Sequence, residues 1–233
     1  MSNMDASPAS DHVALWYGSG GAARSKPIKE KVGLPTLVVP DWARKPAPPE
    51  ARPPRPLAPS SFGIDDESSP PPSDAMRAAA LRGTWIHQLL ERLPGVEASA
   101  RANAAQRWLE RSARVGDPAV RDEIVAQVCG ILSDPQFSPL FGPNSLGEAP
   151  LAATLPDGRV IAGTADRLLI EKTTVSVLDF KTGRVPDGAA SIPAAHLAQM
   201  QAYAAALQVI FPDRSIRAAL LYTAGPQLFE LAT

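Results

Sequence analysis

Apolar positions change their period once along the chain, and the change separates a helical half from a strand-forming half. In SDAMRAAALRGTWIHQLLERLP (73–94), Leu81, Trp85, Ile86, Leu89, Leu90 and Leu93 recur at the spacing of one helical face. Ser73 is the expected cap of this helix, and Pro94-Gly95 its end. VEASARANAAQRWLERSARVG predicts a second helix closed by Gly116, and DPAVRDEIVAQVCGILSD a third, with Asp117 as cap and Pro118 in the first turn. Beyond it the period shortens. LGEAPLAATL, GRVIAGTADRLLIE, TTVSVLDFKTG and SIRAALLYT are rich in Val, Ile, Leu and Thr and predict strands. Between the third and fourth lies a long apolar helix, SIPAAHLAQMQAYAAALQVIF, with Pro193 near its start and Pro212-Asp213 after its end. That order predicts an α/β fold in which the last helix crosses over a central sheet.

Upstream of Ser73 neither period is sustained. Of the 25 prolines, 14 fall between Pro8 and Pro72. A segment so rich in Pro, Ser and Ala cannot bury enough apolar surface to offset the entropy of ordering itself. Residues 1–72 are therefore expected to form a proline-rich, largely disordered linker, and 73–233 a single folded domain. GLPTLVVPDWARK (33–45) is a short apolar stretch able to dock, with Trp42 as anchor. GSGGAARSK (18–26) suggests a phosphate-binding loop but lacks the Gly-Lys-Ser/Thr sequence at the required spacing. No ATP site is expected.

Composition narrows the classes further. No apolar run approaches the roughly 20 residues needed to span a bilayer, and the first residues lack the basic-then-apolar order of a secretory signal. The single cysteine, Cys129, excludes a disulfide scaffold, a cysteine zinc site and a four-cysteine iron–sulfur cluster within this chain. Its apolar neighbours Ile124, Val128 and Leu132 suit a buried small side chain. A reducing, cytoplasmic setting fits. The net charge of -1 provides no global attraction to nucleic acid, so any such binding needs a local basic patch or bound cations.

Candidate chemistry concentrates in the strand half. In SVLDFKTG, alternation places Val175, Val177, Asp179 and Lys181 on one face, aligning an acid and an amine at the end of an apolar strand. An ion pair at a strand end is the simpler alternative. In GRVIAGTADRLLI, Asp166 interrupts an aliphatic face, which is costly unless the carboxylate is paired or holds a metal. Gly163 leaves space for another backbone or a ligand. A short turn can bring Asp166 and Asp179 side by side, and a hard divalent cation resolves their repulsion. Glu148, in LGEAPLA, is a third carboxylate, with an exposed edge charge as the alternative. On the first helix His87 flanks the apolar stripe one turn from Gly83 and Glu91. Gly83, costly inside a helix, is explained if it leaves room beside His87. On the last helix His196, Gln199 and Tyr203 share one stripe, readable as a polar face or as a row of donors near a metal.

Gly83-x-x-x-His87, Glu148, Gly163-x-x-Asp166, Asp179-x-Lys181-Thr182 and Gln199-x-x-x-Tyr203 together resemble, in order and character, the RecB-like PD-(D/E)XK nucleases. From about Arg82 to Thr223 the chain is similar to the C-terminal nuclease domain of the bacterial helicase–nuclease subunit AddA, through RGTWIHQLLERLP, VLDFKTGRVP and RAALLYT. The resemblance implies a restriction-endonuclease-like core: a mixed sheet flanked by helices, with the N-terminal helices carrying the histidine. It implies Mg²⁺-dependent hydrolysis of phosphodiester bonds, with Mn²⁺ as a substitute. His87, Asp166, Asp179 and the Phe180 carbonyl would hold the metal, Glu148 would add an acidic ligand or hold a water, and Lys181 would activate water and steady phosphate charge. Gln199 and Tyr203 would support the site and the DNA strand, and Arg167 and Arg184 would meet phosphates. The implied substrate is single-stranded DNA during double-strand end processing, with an AddB-type subunit or a helicase portion as partner. No helicase motor motif is present, so a nuclease-domain fragment is expected. A docking module that needs the helicase, and a free-standing RecB-like nuclease of another pathway, are the alternatives.

Overall fold

The computed structural model describes residues 40–45, 56–59 and 73–232. The chain divides into two compact units, residues 1–51 and 52–233. Of the first, Asp41–Arg44 forms a single 3-10 turn. The glycine-rich segment 18–26 and most of the expected tether lie outside the described residues.

The second unit opens with three helices, α1 (Asp74–Arg92), α2 (Arg101–Arg111) and α3 (Pro118–Ser133). Two of the expected caps form. Ser73 Oγ accepts from the Met76 N–H at 3.2 Å, and Asp117 Oδ1 accepts from the Ala119 N–H at 2.9 Å. The sheet follows as β1 (Ser145–Thr154), β2 (Val160–Ile170), β3 (Thr174–Lys181), β4 (Ser215–Tyr222) and β5 (Gln227–Leu231), with α4 (Ala194–Ile210) between β3 and β4. Spatial order equals chain order, and of the four pairings among these five strands only β3–β4 is parallel. The parallel pair requires the α4 crossover. This is an α/β fold with a mixed sheet and flanking helices, consistent with a restriction-endonuclease-like core. β5, an antiparallel edge strand, follows Pro226 and is too short for its period to stand out in the sequence.

The sheet buries both faces. Ile86, Leu89 and Leu90 of α1, Leu109 of α2 and Ile124, Val128 and Ile131 of α3 cluster with Phe180 and Leu221. Met200, Tyr203, Ala204 and Leu207 of α4 cluster with Val175, Val177, Ala218, Leu220 and Tyr222. Alternate residues of β3 and β4 thus serve opposite layers, which is the period-two rule applied to a strand covered twice. At the carboxyl end of β3, Phe180 packs with the α1–α3 layer and Asp179 bonds to Gln199 of α4.

β2 and β3 pair only from Arg167↔Leu178 to Ile170↔Val175, and the strands then part. The freed edge of β2 receives a segment from the expected tether. The Leu57 N–H donates to the Val160 carbonyl at 2.8 Å, and the Leu57 carbonyl accepts from the Ala162 N–H at 3.0 Å. Leu57 pairs in parallel with Ile161, and Pro59 is buried. Proline suits this edge because its missing N–H is not needed for the ladder. The sheet therefore draws on residues upstream of the expected boundary at Ser73.

Candidate active site

Where β2 and β3 separate, the Phe180 N–H loses its cross-strand partner, and Asp166 Oδ2 accepts it at 2.6 Å. This holds the Asp166 carboxylate at the fork of the sheet. Its Oδ1 lies 3.3 Å from His87 Nδ1 on α1. The His87 ring also meets Phe180 edge-on, with centroids 5.7 Å apart. Burial opposes protonation of His87, yet the hydrogen bond and charge of Asp166, backed by Asp179 and Glu148, raise its pKa overall.

Asp179 is 5% exposed. Gln199 Nε2 donates to its Oδ1 at 2.7 Å, and Lys181 Nζ lies 2.8 Å from its Oδ2. Lys181 Nζ also donates to Gln199 Oε1 at 2.8 Å. One glutamine amide therefore grips the acid through its N–H and the amine through its oxygen. Burial, and then the neighbouring charge of Asp166, push the Asp179 pKa up to about 6 against the pull of Lys181.

A cavity of about 520 Å³ opens beside Asp166 and is lined by Gly83, Thr84, His87, Gln88, Glu91, Glu148 and Thr182 among others. Glu148 reaches it from a backbone at φ 49°, in the left-handed region, and drops out of the otherwise continuous β1–β2 pairing. Such a conformation costs a non-glycine residue roughly 1–2 kcal/mol and is retained where the surroundings demand it. Burial, then Asp166 and Glu91, raise the pKa of Glu148.

The residues present suit a hard divalent cation in kind: Asp179 and Glu148, whose proton affinities are raised by burial and by the charge of Asp166, Asp166 itself, and an imidazole. Their present arrangement is not a closed ligand set. Among the described residues no three His, Cys, Asp or Glu groups converge to enclose a metal. Asp179 is engaged by Lys181 and Gln199, and Asp166 by His87 and the Phe180 N–H.

The model of the PD-(D/E)XK nuclease superfamily matches residues 60–230. The chain belongs to this superfamily. Its members are generally nucleases and typically use divalent metal ions. No curated protein gives a significant match. Among solved structures, one titled "Crystal structure of SSO0001" is 19% identical, covering 67% of this chain and 77% of its own, with a TM-score of 0.30.

Within this PD-(D/E)XK domain the other expected site residues have the following surroundings. Arg167 is withdrawn from solvent. It is 3% exposed, its Nη2 donates to the Leu90 carbonyl at 2.5 Å, and it sits 4.9 Å over the Phe141 ring. It is a brace between β2 and the end of α1. Tyr203 is fully buried, donates to the Thr164 carbonyl at 2.6 Å and has its pKa pushed up to about 12 by burial. With Gln199, 6% exposed, it supports the site from within and does not present itself to a strand. Arg184 is open to solvent, 3.7 Å from Asp187. Gly83 leaves room for Thr182 and not for His87, since a Cβ there would lie 2.6 Å from Thr182 Oγ1. At Gly163 the close neighbours are Pro59 and Tyr203.

Other members of the site escaped sequence reasoning. Thr223 is buried; its N–H donates to the Lys181 carbonyl at 2.8 Å, and its own carbonyl accepts from Gln127 Nε2 at 2.7 Å. Gln127 in turn accepts from Arg82 Nη2 at 2.9 Å. The chain of contacts ties the backbone of Lys181 to α3 and α1. Glu91, one turn beyond His87, was legible from helical spacing; the Thr223–Gln127 contact spans 96 positions and was not. Among the described residues, no helix is long and apolar enough to cross a membrane.

Proposed function

We propose that this domain hydrolyses phosphodiester bonds of single-stranded DNA with Mg²⁺, for which Mn²⁺ can substitute. The observation that carries this reading is the Asp166–His87 pair meeting the Asp179–Gln199–Lys181 group at the fork of β2 and β3. His87, Asp166, Asp179 and the Phe180 carbonyl would hold the cation, with Glu148 as a further acidic group. When bound, the cation supplies positive charge at the phosphoryl oxygen and acidifies the attacking water. To help hold the cation, Asp179 would have to give up its contact with Lys181. Lys181 would then orient the water and neutralise charge developing on the phosphate. Gln199, bonded to both side chains, would keep them within reach of each other. Water adds to phosphorus, the P–O bond to the leaving sugar breaks, and that oxygen takes up a proton. Arg184, exposed at the β3–α4 loop, would steady a neighbouring phosphate.

The similarity of RGTWIHQLLERLP and VLDFKTGRVP to the AddA nuclease domain supports placing the reaction in end processing for recombination, in the cytoplasm. An AddB-type subunit or a helicase portion would deliver the strand. Residues 1–72 would then act mainly as the tether, and 73–233 as the nuclease.

Cleavage of an end-labelled single strand tests the reading. With Mg²⁺ the wild-type chain should cut, while Asp179→Ala and Lys181→Ala each lose about a hundredfold or more. Wild-type rates in both variants would sink it. The engaged state of Asp179 favours one alternative, a module that binds DNA and needs a helicase partner to become active. Strand binding without hydrolysis, with cutting restored on adding such a partner, selects that alternative.

A further inference from the structure

His196 lies at the start of α4, one turn before Gln199 and on the same stripe. Its Nδ1 is 2.9 Å from Tyr222 Oη. Tyr222 is 1% exposed, stands opposite Lys181 in the β3–β4 ladder and packs edge-on against Phe229. A buried phenol needs a hydrogen-bond partner, and among the described residues His196 supplies it.

The pair has a preferred direction. Burial and the charge of Asp179 hold the phenolic proton on Tyr222. Burial and the Lys181 cation keep the His196 imidazole neutral. A neutral imidazole accepts best through its bare nitrogen, and a protonated phenol is the stronger donor, so Tyr222 donates to Nδ1 and the imidazole proton resides on Nε2. Nε2 has no hydrogen-bond partner among the described residues and is not one of their buried unpaired polar atoms. His196 is half-buried, and its imidazole is within electrostatic reach of Lys181.

Resting on the nuclease reading, we propose that His196 is a substrate-contacting residue. It donates its Nε2–H to a phosphate oxygen of the strand held beside Lys181, and Tyr222 is the positioning residue that fixes its tautomer. A neutral donor suits this place, since it can hold a phosphate without adding a second cation against Lys181.

The test combines imidazole nitrogen NMR of the full chain with kinetics. In the free protein Nδ1 should be the bare nitrogen of His196. Adding oligothymidylate in EDTA should shift the Nε2–H resonance, and Tyr222→Phe should yield a tautomer mixture. With Mg²⁺, His196→Phe should lower kcat/KM about tenfold or more when assayed well below its melting temperature, which the unpaired Tyr222 hydroxyl will lower. His196→Gln, which places an N–H near the Nε2 position, should recover most of the loss. Combining His196→Phe with Tyr222→Phe should cost little more than the first alone. A proton on Nδ1, or wild-type kcat/KM in His196→Phe while the wild-type chain cuts, overturns the proposal. A wild-type chain that neither binds nor cuts the oligonucleotide fails the nuclease reading itself, and the contact falls with it. The tautomer measurement needs no activity, which separates the two failures.

Discussion

Asp179 illustrates how a buried carboxylate works against the stability of its own fold. Burial and Asp166 favour its protonated form, with a pKa pushed up to about 6. A carboxyl whose folded pKa lies above its unfolded value of about 4 contributes full stability only below that value, and loses it as pH rises through 6. In a chelator, Asp179→Asn should therefore melt several degrees above wild type at pH 8 and match it near pH 4. Differential scanning at both values decides this; a gain that persists at pH 4 would assign the effect to something other than ionisation. Lys181 keeps Gln199 as partner in the variant, so the amine is not stranded. Glu148 offers a second test. At φ 49° glycine is the unstrained residue. Glu148→Gly should be more stable than Glu148→Ala by about 1 kcal/mol in denaturant unfolding, the reverse of the usual order in a strand.

The contact of α1 with the end of β3 is set by one missing side chain. Gly83→Ala in an ordinary exposed helix gains about 1 kcal/mol. Here the new Cβ would meet Thr182 Oγ1 at 2.6 Å, so the variant should instead lose roughly 1–3 kcal/mol through overpacking. Thr182→Ala leaves a Cβ at an ordinary 3.5 Å and should rescue it. Chemical denaturation of the two single variants and the double variant measures the coupling. Additive losses would show that the two positions do not meet. The periodic pattern was sufficient to place Gly83 and His87 on one helix, since both depend on local spacing. Thr182 as the neighbour was not legible there, because no local pattern encodes which strand end a helix approaches. Arg167 shows the same limit from the other side. Its sequence context is that of a cation beside an acid, and only the fold of β2 under Leu90 and Phe141 withdraws it from solvent.

Across the domain, the β2 edge joins the proline-rich segment to the fork between β2 and β3. Leu57 pairs with Ile161, and Pro59 approaches Gly163, close in sequence to Asp166. A chain starting at residue 60 should melt several degrees below one starting at residue 52, because it uncovers ladder groups and the Pro59 pocket. Coincident melting curves would show the segment to be dispensable. Composition alone counts these prolines as linker, since it weighs a segment by its own apolar content and cannot register a strand edge that another element leaves unpaired.

Local rules were enough for the succession of helices and strands, the caps at Ser73 and Asp117, and the acids and lysine worth attention, because period, capping and side-chain chemistry act over a few residues. The rest depends on contacts between distant segments. The parting of β2 from β3 delivers the Phe180 N–H to Asp166, the crossover brings Gln199 between Asp179 and Lys181, and the parallel register sets Tyr222 beside Lys181 and under His196. These arrangements follow from how the layers pack, and packing is a property of the assembled chain that no short window of sequence contains.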